Sequence, residues 1–356
     1  MPKHEEKYCF LVEWKDPSTE VLRKFILYFY PRDSAVEMFD TRSRKMFLRR
    51  TDCEVCRLKD FFPGNVVYVL SRHLKILHYG DAQTEAFLSP KHERSVVLLK
   101  SSSLPRLGEI WKQLQTSGLS VSNAVMLKLV PADMERYLEI SRNPTASLDD
   151  LSGNIICLEA MGERAVARCK CLLSHALAED PSDVLGKHCL VSNDKEAVHK
   201  QRELFFRGHR PCNTALLQNT TCCIVKPHIF REGRVCDILQ DIGRGGFQIS
   251  ALEMKSLESD KSEEFLELYK GVIPDFQSMV QSLAEGPCLV LEVASEHGTQ
   301  TPGRFKEYVG PTDPFYARKL YPDSIRGKFG RDIHSNAVHC TDVMEDALVE
   351  LMFFFA

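Results

Sequence analysis

No stretch of this 356-residue chain approaches the roughly 18 consecutive apolar residues that a membrane-spanning helix requires. The opening "MPKHEEKYCFLVEW" lacks the basic-then-apolar layout of a secretory signal peptide. An excess of one charge is missing too. With 46 Lys and Arg against 49 Asp and Glu, the net charge is −3, which predicts no whole-chain attraction to DNA or to a membrane surface. The phosphate-cradling pattern G-x-x-x-x-G-K-[ST] does not occur. Cysteine, by contrast, is plentiful. The thirteen are odd in number and irregularly spaced, and with no export signal they are read as reduced thiols of a cytosolic-type compartment. Cys53-Glu54-Val55-Cys56 is a lone CxxC with no second pair nearby, which argues against a zinc site. Cys169 and Cys171 are expected on a helix.

The length predicts two or three domains. Up to about residue 90, short apolar runs ("KYCFLVEW", "FILYFYP", "AVEMFD", "KMFLRR", "VVYVL", "LKILHYG") alternate with turn signals such as Pro63-Gly64-Asn65. That spacing predicts a small antiparallel sandwich or barrel over 1–92. Nothing in it looks catalytic, and His73 and His78 are read as strand residues.

Beyond residue 90 the chain repeats itself. "SVVLLKSSS" at 95–103 matches "CCIVKPHIF" at 222–230. Leu107, Ile110, Trp111 and Leu114 share the helical phase of Val235, Ile238, Leu239 and Ile242. "GLSVSNAVML" matches "GFQISALEMK", "GNIICLEA" matches "GPCLVLEV", and "ELFF" echoes "ELMFFF". A period of roughly 130 residues is too long for a solenoid and indicates two copies of one domain, 93–212 and 213–356. Strand and helix signals alternate in each, which predicts an antiparallel sheet with helices on one face, the split βαβ arrangement. Phe265, Leu268, Tyr269 and Val272 predict one helix before Gly286. Gly243-Arg244-Gly245-Gly246 reads as a helix C-cap turn.

The second copy gathers cations, a hydroxyl and one histidine: Lys226, Arg304, Lys306, Thr312 and Arg326, then Asn336 and His339. Such a set suits a polyphosphate, with positive donors for phosphoryl charge and a nucleophile. Each member also has a plain reading as a strand end, a solvated charge or a loop histidine. Asp342 and Glu345 read as a capping box that would start a helix just after His339.

"IVKPH", "VGPTDP", "SIRGKFG" and "NAVHCTD", in that order, resemble the nucleoside diphosphate kinase family over roughly 218–356. The first copy, about 93–212, is similar to that family only through its repeat. "LYFYPRDSAVEMFD" and "FLRR" resemble a DM10 (PH-like) module. The implied fold class is α+β: a β-rich DM10 module at 1–92, then two ferredoxin-like (βαββαβ) domains. The resemblance implies that His339 is the nucleophile of a ping-pong exchange through phosphohistidine, oriented by Glu350. It implies that Lys226 touches the transferred phosphoryl group, Thr312 and Arg326 the phosphates, Asn336 a sugar hydroxyl, and that Tyr269 lies near phosphate and histidine. Magnesium would come with the nucleoside tri- or diphosphate.

Three positions depart from the family pattern. Lys306 stands where arginine is usual and loses the bidentate fork. Asp275 stands where a phenylalanine stacks the base, with Phe276 beside it, and Cys340 stands where glycine is usual. In the first copy Lys100 is kept and Ser101 replaces the proline. The nucleophile position there falls near Leu190 or Val191, with His188 close by. The layout resembles ciliary and centrosomal members of the family. It implies ATP and nucleoside diphosphates as ligands and tubulin, axonemal doublet microtubules and the γ-tubulin ring complex as partners. The expected location is cytoplasm and cytoskeleton, at the centrosome and the ciliary or flagellar axoneme, with no membrane and no specific nucleic acid. A structural microtubule component with little or no catalysis is the alternative.

Overall fold

Each of the six apolar runs before residue 90 forms a strand: β1 (Tyr8–Lys15), β2 (Leu22–Tyr30), β3 (Ala35–Asp40), β4 (Lys45–Asp52), β5 (Val66–Val69) and β6 (Arg72–Tyr79), followed by helix α1 (Ala82–Leu88). The structure, a computed structural model, describes residues 6–141, 147–175, 189–207, 210–272 and 275–356. It divides into two units, Met1–His92 with Ala284–Gly286 and Glu93–Leu283 with Pro287–Ala356.

In the first unit the strands form one six-stranded sheet in the order β4-β3-β2-β1-β6-β5, so the two-sheet sandwich is not what forms. Alternate residues of β2, Phe25, Leu27 and Phe29, join Phe10, Val12 and Phe61 in one core, as period-2 patterning dictates. Cys53 and Cys56 are buried, and both thiols bond the Tyr68 carbonyl, at 3.8 and 3.2 Å.

The second unit runs β7 (Glu93–Leu99), α2 (Leu107–Thr116), β8 (Ser120–Lys128), α3 (Pro131–Ser141), β9 (Asn154–Gly162), α4 (Ala165–His175), β10 (Cys189–Val191) and α5 (Lys195–Phe206). After the short β11 (Cys212–Asn213) the order restarts with β12 (Thr221–Val225), α6 (Pro227–Glu232), α7 (Val235–Arg244) and β13 (Gln248–Ser256). Next come α8 (Ser259–Phe265), α9 (Phe276–Ala284), β14 (Pro287–Ala294) and α10 (Thr301–Val309). The chain closes with α11 (Pro314–Leu320), α12 (Ile325–Phe329), β15 (Val338–Cys340) and α13 (Ala347–Phe355). Among the described residues no helix is long and apolar enough to cross a membrane.

One nine-stranded antiparallel sheet carries both halves, in the order β10-β7-β9-β8-β13-β14-β12-β15, with β11 added on β8. Read outward from the centre, each half presents its second, third, first and fourth strands, the split βαβ order. The halves meet where Val125 of β8 pairs with Glu253 of β13, and α2 packs on α7. Gly108 permits that approach, since an added Cβ would lie 2.8 Å from the Cys236 carbonyl oxygen. The expectation of helices on one face is corrected. Val97 and Leu99 enter one core while Val96 and Leu98 enter another. A strand buried on both sides reads as a continuous apolar run rather than an alternating one, which is what "VVLL" and "CCIV" display.

Two local expectations are also corrected. Phe265 to Val272 is not one helix. α8 stops at Phe265, a 3-10 turn follows at Glu267–Tyr269, and Gly271 takes φ +80°, which a helix cannot continue through. Asp342 and Glu345 form no capping box. A 3-10 turn at Met344–Asp346 leads into α13, and Asp342 pairs instead with Lys306.

Candidate active site

β12 and β15 pair antiparallel with Ile224 opposite His339, which places the histidine on the outermost strand of the second half. The approach to it is strained. Val338 N–H donates to the Asn336 carbonyl two residues back at 3.0 Å, closing a three-residue turn around Ala337, whose φ is +74°. A γ-turn of that hand is rare and costs on the order of 1–3 kcal/mol. It turns the chain sharply between Asn336 and His339.

His339 is 4% exposed, and its Nε2 lies 3.1 Å from Oε1 of Glu350. α13 carries Glu350 inward at 2% exposure, because Ala347, Leu351, Phe354 and Phe355 place that face against the core. Thr341 Oγ1 donates to the other carboxylate oxygen at 2.7 Å, and Tyr269 Oη donates to Oε1 at 3.3 Å. A carboxylate only accepts, so Nε2 carries the imidazole proton and the Nδ1 lone pair is left free. Among the described residues Nδ1 has no hydrogen-bond partner. Phe265 and Tyr269 meet the imidazole edge-on, with centroids 5.2 and 5.9 Å away. Burial, then the Glu350 carboxylate, pushes the Tyr269 phenol upward, so it remains a donor.

Two cations are buried beside this strand. Lys226, 2% exposed, precedes Pro227 at the start of α6 and sends its backbone N–H to the Ala337 carbonyl. Its Nζ donates to the His334 carbonyl at 2.7 Å and to Ser282 Oγ at 3.4 Å. Arg326, 5% exposed, donates to the Gly310 carbonyl at 3.0 Å, the Val338 carbonyl at 3.2 Å and Thr312 Oγ1 at 3.5 Å. Neither has a carboxylate partner among the described residues. Burial, and then the neighbouring Arg326 charge, lower Lys226 to about 7. Two desolvated cations held only by neutral oxygens form an incomplete site for an anion.

The remaining expected residues lie around this core. Asn336, 3% exposed, donates from Nδ2 to the Thr312 carbonyl at 3.1 Å, and its Oδ1 is buried with no partner. Thr312 itself is exposed. Lys306 reaches the Asp342 carbonyl at 3.0 Å and its carboxylate at 3.2 Å, so its charge is already countered. Asp275 is exposed and pairs with His334 at 3.2 Å. Phe276 faces inward into the core under α9 and offers no surface ring. The Cys340 Sγ lies 3.9 Å from the Arg326 guanidinium, and burial raises its thiol. Sequence reasoning missed Thr341 and His334. Thr341 had a signal, a hydroxyl two residues after the histidine. His334 acts through its backbone carbonyl and had none.

The first half repeats the frame without the chemistry. Leu190 stands opposite Leu98 as His339 stands opposite Ile224, so Leu190, not Val191, is the counterpart of the histidine. Ser192 donates to Gln201 as Thr341 donates to Glu350. The counterpart of Glu350 is therefore Gln201, two residues before the match suggested by "ELFF". Lys100 is neutralised by Asp150 at 2.7 Å. His188 lies outside the described residues.

A family model for nucleoside diphosphate kinase matches residues 219–356. Nucleoside diphosphate kinase homolog 7 of Rattus norvegicus is 36% identical over 376 residues, spanning 99% of this chain and 94% of that protein. A nucleoside diphosphate kinase of Aquifex aeolicus is 37% identical over 136 residues, 38% of this chain and 93% of its own. A crystal structure of the Aquifex aeolicus nucleoside diphosphate kinase aligns with 36% identity over 38% of this chain and 94% of its own, at a TM-score of 0.36.

Proposed function

Because the chain belongs to the family of nucleoside diphosphate kinase homolog 7, we propose that its second half moves a γ-phosphoryl group from a nucleoside triphosphate to His339 and on to a diphosphate. One observation carries this reading: two buried cations without carboxylate partners, Lys226 and Arg326, stand beside an imidazole whose Nδ1 is free. Nδ1 attacks the γ-phosphorus, the bond from that phosphorus to the bridging oxygen breaks, and a diphosphate leaves. The terminal oxygen of a second diphosphate then attacks, and the N–P bond breaks. Glu350 holds the Nε2 proton and so keeps the lone pair on Nδ1. Lys226 and Arg326 offset the charge on the transferred group. The unpaired Oδ1 of Asn336 suits a sugar hydroxyl, and Thr312 offers a second oxygen near Arg326. Lys306 adds charge only by leaving Asp342.

Among the described residues no group of three or more His, Cys, Asp or Glu is placed to hold a metal ion. On this reading magnesium would enter with the nucleotide phosphates and neutralise part of their charge. The test is a pulse of γ-labelled ATP with magnesium, followed by acid and alkali treatment. The expected result is an acid-labile, alkali-stable label that chases onto added diphosphate and is absent from His339→Ala. Equal labelling of that variant sinks the reading.

A second reading rests on the loss of the nucleophile from the first half and of the aromatic at Asp275. The protein would be a microtubule component of the axoneme or γ-tubulin ring complex, with the site as a nucleotide sensor. On that reading the parent and His339→Ala pellet equally with microtubules and neither takes label. On the kinase reading the parent alone takes it.

A further inference from the structure

The register that relates the two halves also exposes a place where they differ in shape. A cavity of about 660 Å3 opens between the first turn of α2 and the last turn of α7, a size ordinary for small-molecule sites. Leu104, Leu239, Ile242 and Phe247 give it apolar walls, and Arg244 lines it as well. Lys100 corresponds to Lys226 at the strand ends, and Leu107 to Val235 at the helix starts. Counting four residues on from each, Leu104 corresponds to Phe230 and Leu239 to Trp111. Those two rings meet edge-on with centroids 6.4 Å apart, and Trp111 is 1% exposed. On one side of the repeat, then, two aromatic rings occupy the angle between the helices. On the other side two leucines stand at those positions and the angle is open.

We propose that this cavity binds a planar aromatic small molecule of about indole size that carries a carboxylate. Its ring takes the place that Trp111 and Phe230 take on the opposite side of the repeat. Its carboxylate meets Arg244, which is exposed and has no hydrogen-bond or ion-pair partner among the described residues. The corresponding residue in the first half is Thr116, so this charge belongs to the open side alone. The acid among the lining residues, Glu109, is paired with Arg106 at 2.9 Å and does not cancel it. Apolar walls for a ring and one charged group at the mouth are the usual division of labour in such sites. The inference is independent of the phosphoryl-transfer reading.

The experiment uses the full chain, saturated with magnesium ADP so that the nucleotide site is occupied, and follows the fluorine linewidth of 5-fluoroindole-3-acetate. The parent is expected to broaden the signal at sub-millimolar probe. Leu104→Phe with Leu239→Trp copies the filled side and is expected to weaken binding at least tenfold, with native circular dichroism. Arg244→Gln, a change at an exposed side chain, is expected to weaken the acid probe several-fold and leave neutral 5-fluoroindole unchanged, with native circular dichroism. No broadening by the parent at millimolar probe overturns the proposal. So does undiminished binding by the folded filled variant, or by Arg244→Gln.

Discussion

The two halves of the nine-stranded sheet are built on one plan and equipped differently. Both carry a strand bulge whose serine binds a buried glutamate, Ser122 to Glu159 at 2.7 Å and Ser250 to Glu292 at 2.6 Å. Both tie their last strand to their first through a hydroxyl, with Val96 N–H donating to Ser192 and Cys222 N–H to Thr341. They part at three positions. His339, Glu350 and a Lys226 with no ion-pair partner among the described residues face Leu190, Gln201 and a Lys100 already paired with Asp150. The hydroxyl brace is thus structural and is present in the half that has no histidine. Among the described residues, the strand-end lysine with no ion-pair partner is the one in the half that has the histidine.

The largest expected effect comes from exchanging the residue that differs beside His339. Glu350→Gln imports the first half's amide. Its NH2 can donate to Nε2, which moves the imidazole proton to Nδ1 and blocks attack. Phosphoryl exchange should fall by about 10²- to 10⁴-fold, the usual worth of a proton-positioning group, whereas Gln201→Glu should leave it unchanged. Steady-state exchange assays on both variants decide whether the carboxylate or the frame matters.

Thr341→Val and Ser192→Ala remove the same brace from the two halves. Each strands a buried backbone N–H, so each should cost about 1–3 kcal/mol of stability in urea unfolding. Only Thr341→Val should also slow exchange, since only there does the brace hold the imidazole's partner. If both slow it equally, the halves are coupled more tightly than their separate sites suggest.

Asp275→Phe should tighten nucleotide binding by about tenfold, within the roughly 1–3 kcal/mol of an aromatic–base stack, as read by calorimetry. It also removes the carboxylate that His334 contacts at 3.2 Å. The parent should show little preference among purine and pyrimidine diphosphates, and a strong preference would contradict the reading of Asp275 as a lost platform.

The smallest effect is a fraction of a proton. Lys226 loses its charge near pH 7 in the free protein, and a bound phosphate favours the charged form. Binding at pH 8 should therefore take up a proton, and affinity should decline as pH rises above 7. Calorimetry in two buffers of different ionisation enthalpy measures this uptake, and none at pH 8 would leave Lys226 already charged.

Much of the frame was legible because burial is periodic. Leu107, Ile110, Trp111 and Leu114, like their mates in α7, are buried at the expected spacing. The misreadings have local causes. Phe265 and Tyr269 keep helical spacing across a chain that Gly271 breaks, since spacing reports which side chains face inward and not which backbone joins them. Asp342 and Glu345 have the letters of a capping box, but Lys306 competes for the aspartate from another helix. "ELFF" echoes "ELMFFF" in letters, while the inward face of α5 runs through Gln201, which only packing reveals.

By itself the sequence determined the repeat, the strand and helix runs, and the candidates Lys226, Arg326, Asn336 and His339 on which the proposed function rests, because these depend on composition and period along the chain. The tertiary structure decided which imidazole nitrogen is free, that Lys226 and Arg326 lie buried without an ion-paired carboxylate among the described residues while Lys306 has one, and that Leu104 and Leu239 line a cavity at positions corresponding to those where Phe230 and Trp111 meet. Those properties belong to distances between residues far apart in the chain. Desolvation, charge pairing and packing act through space, so no count along the sequence contains them.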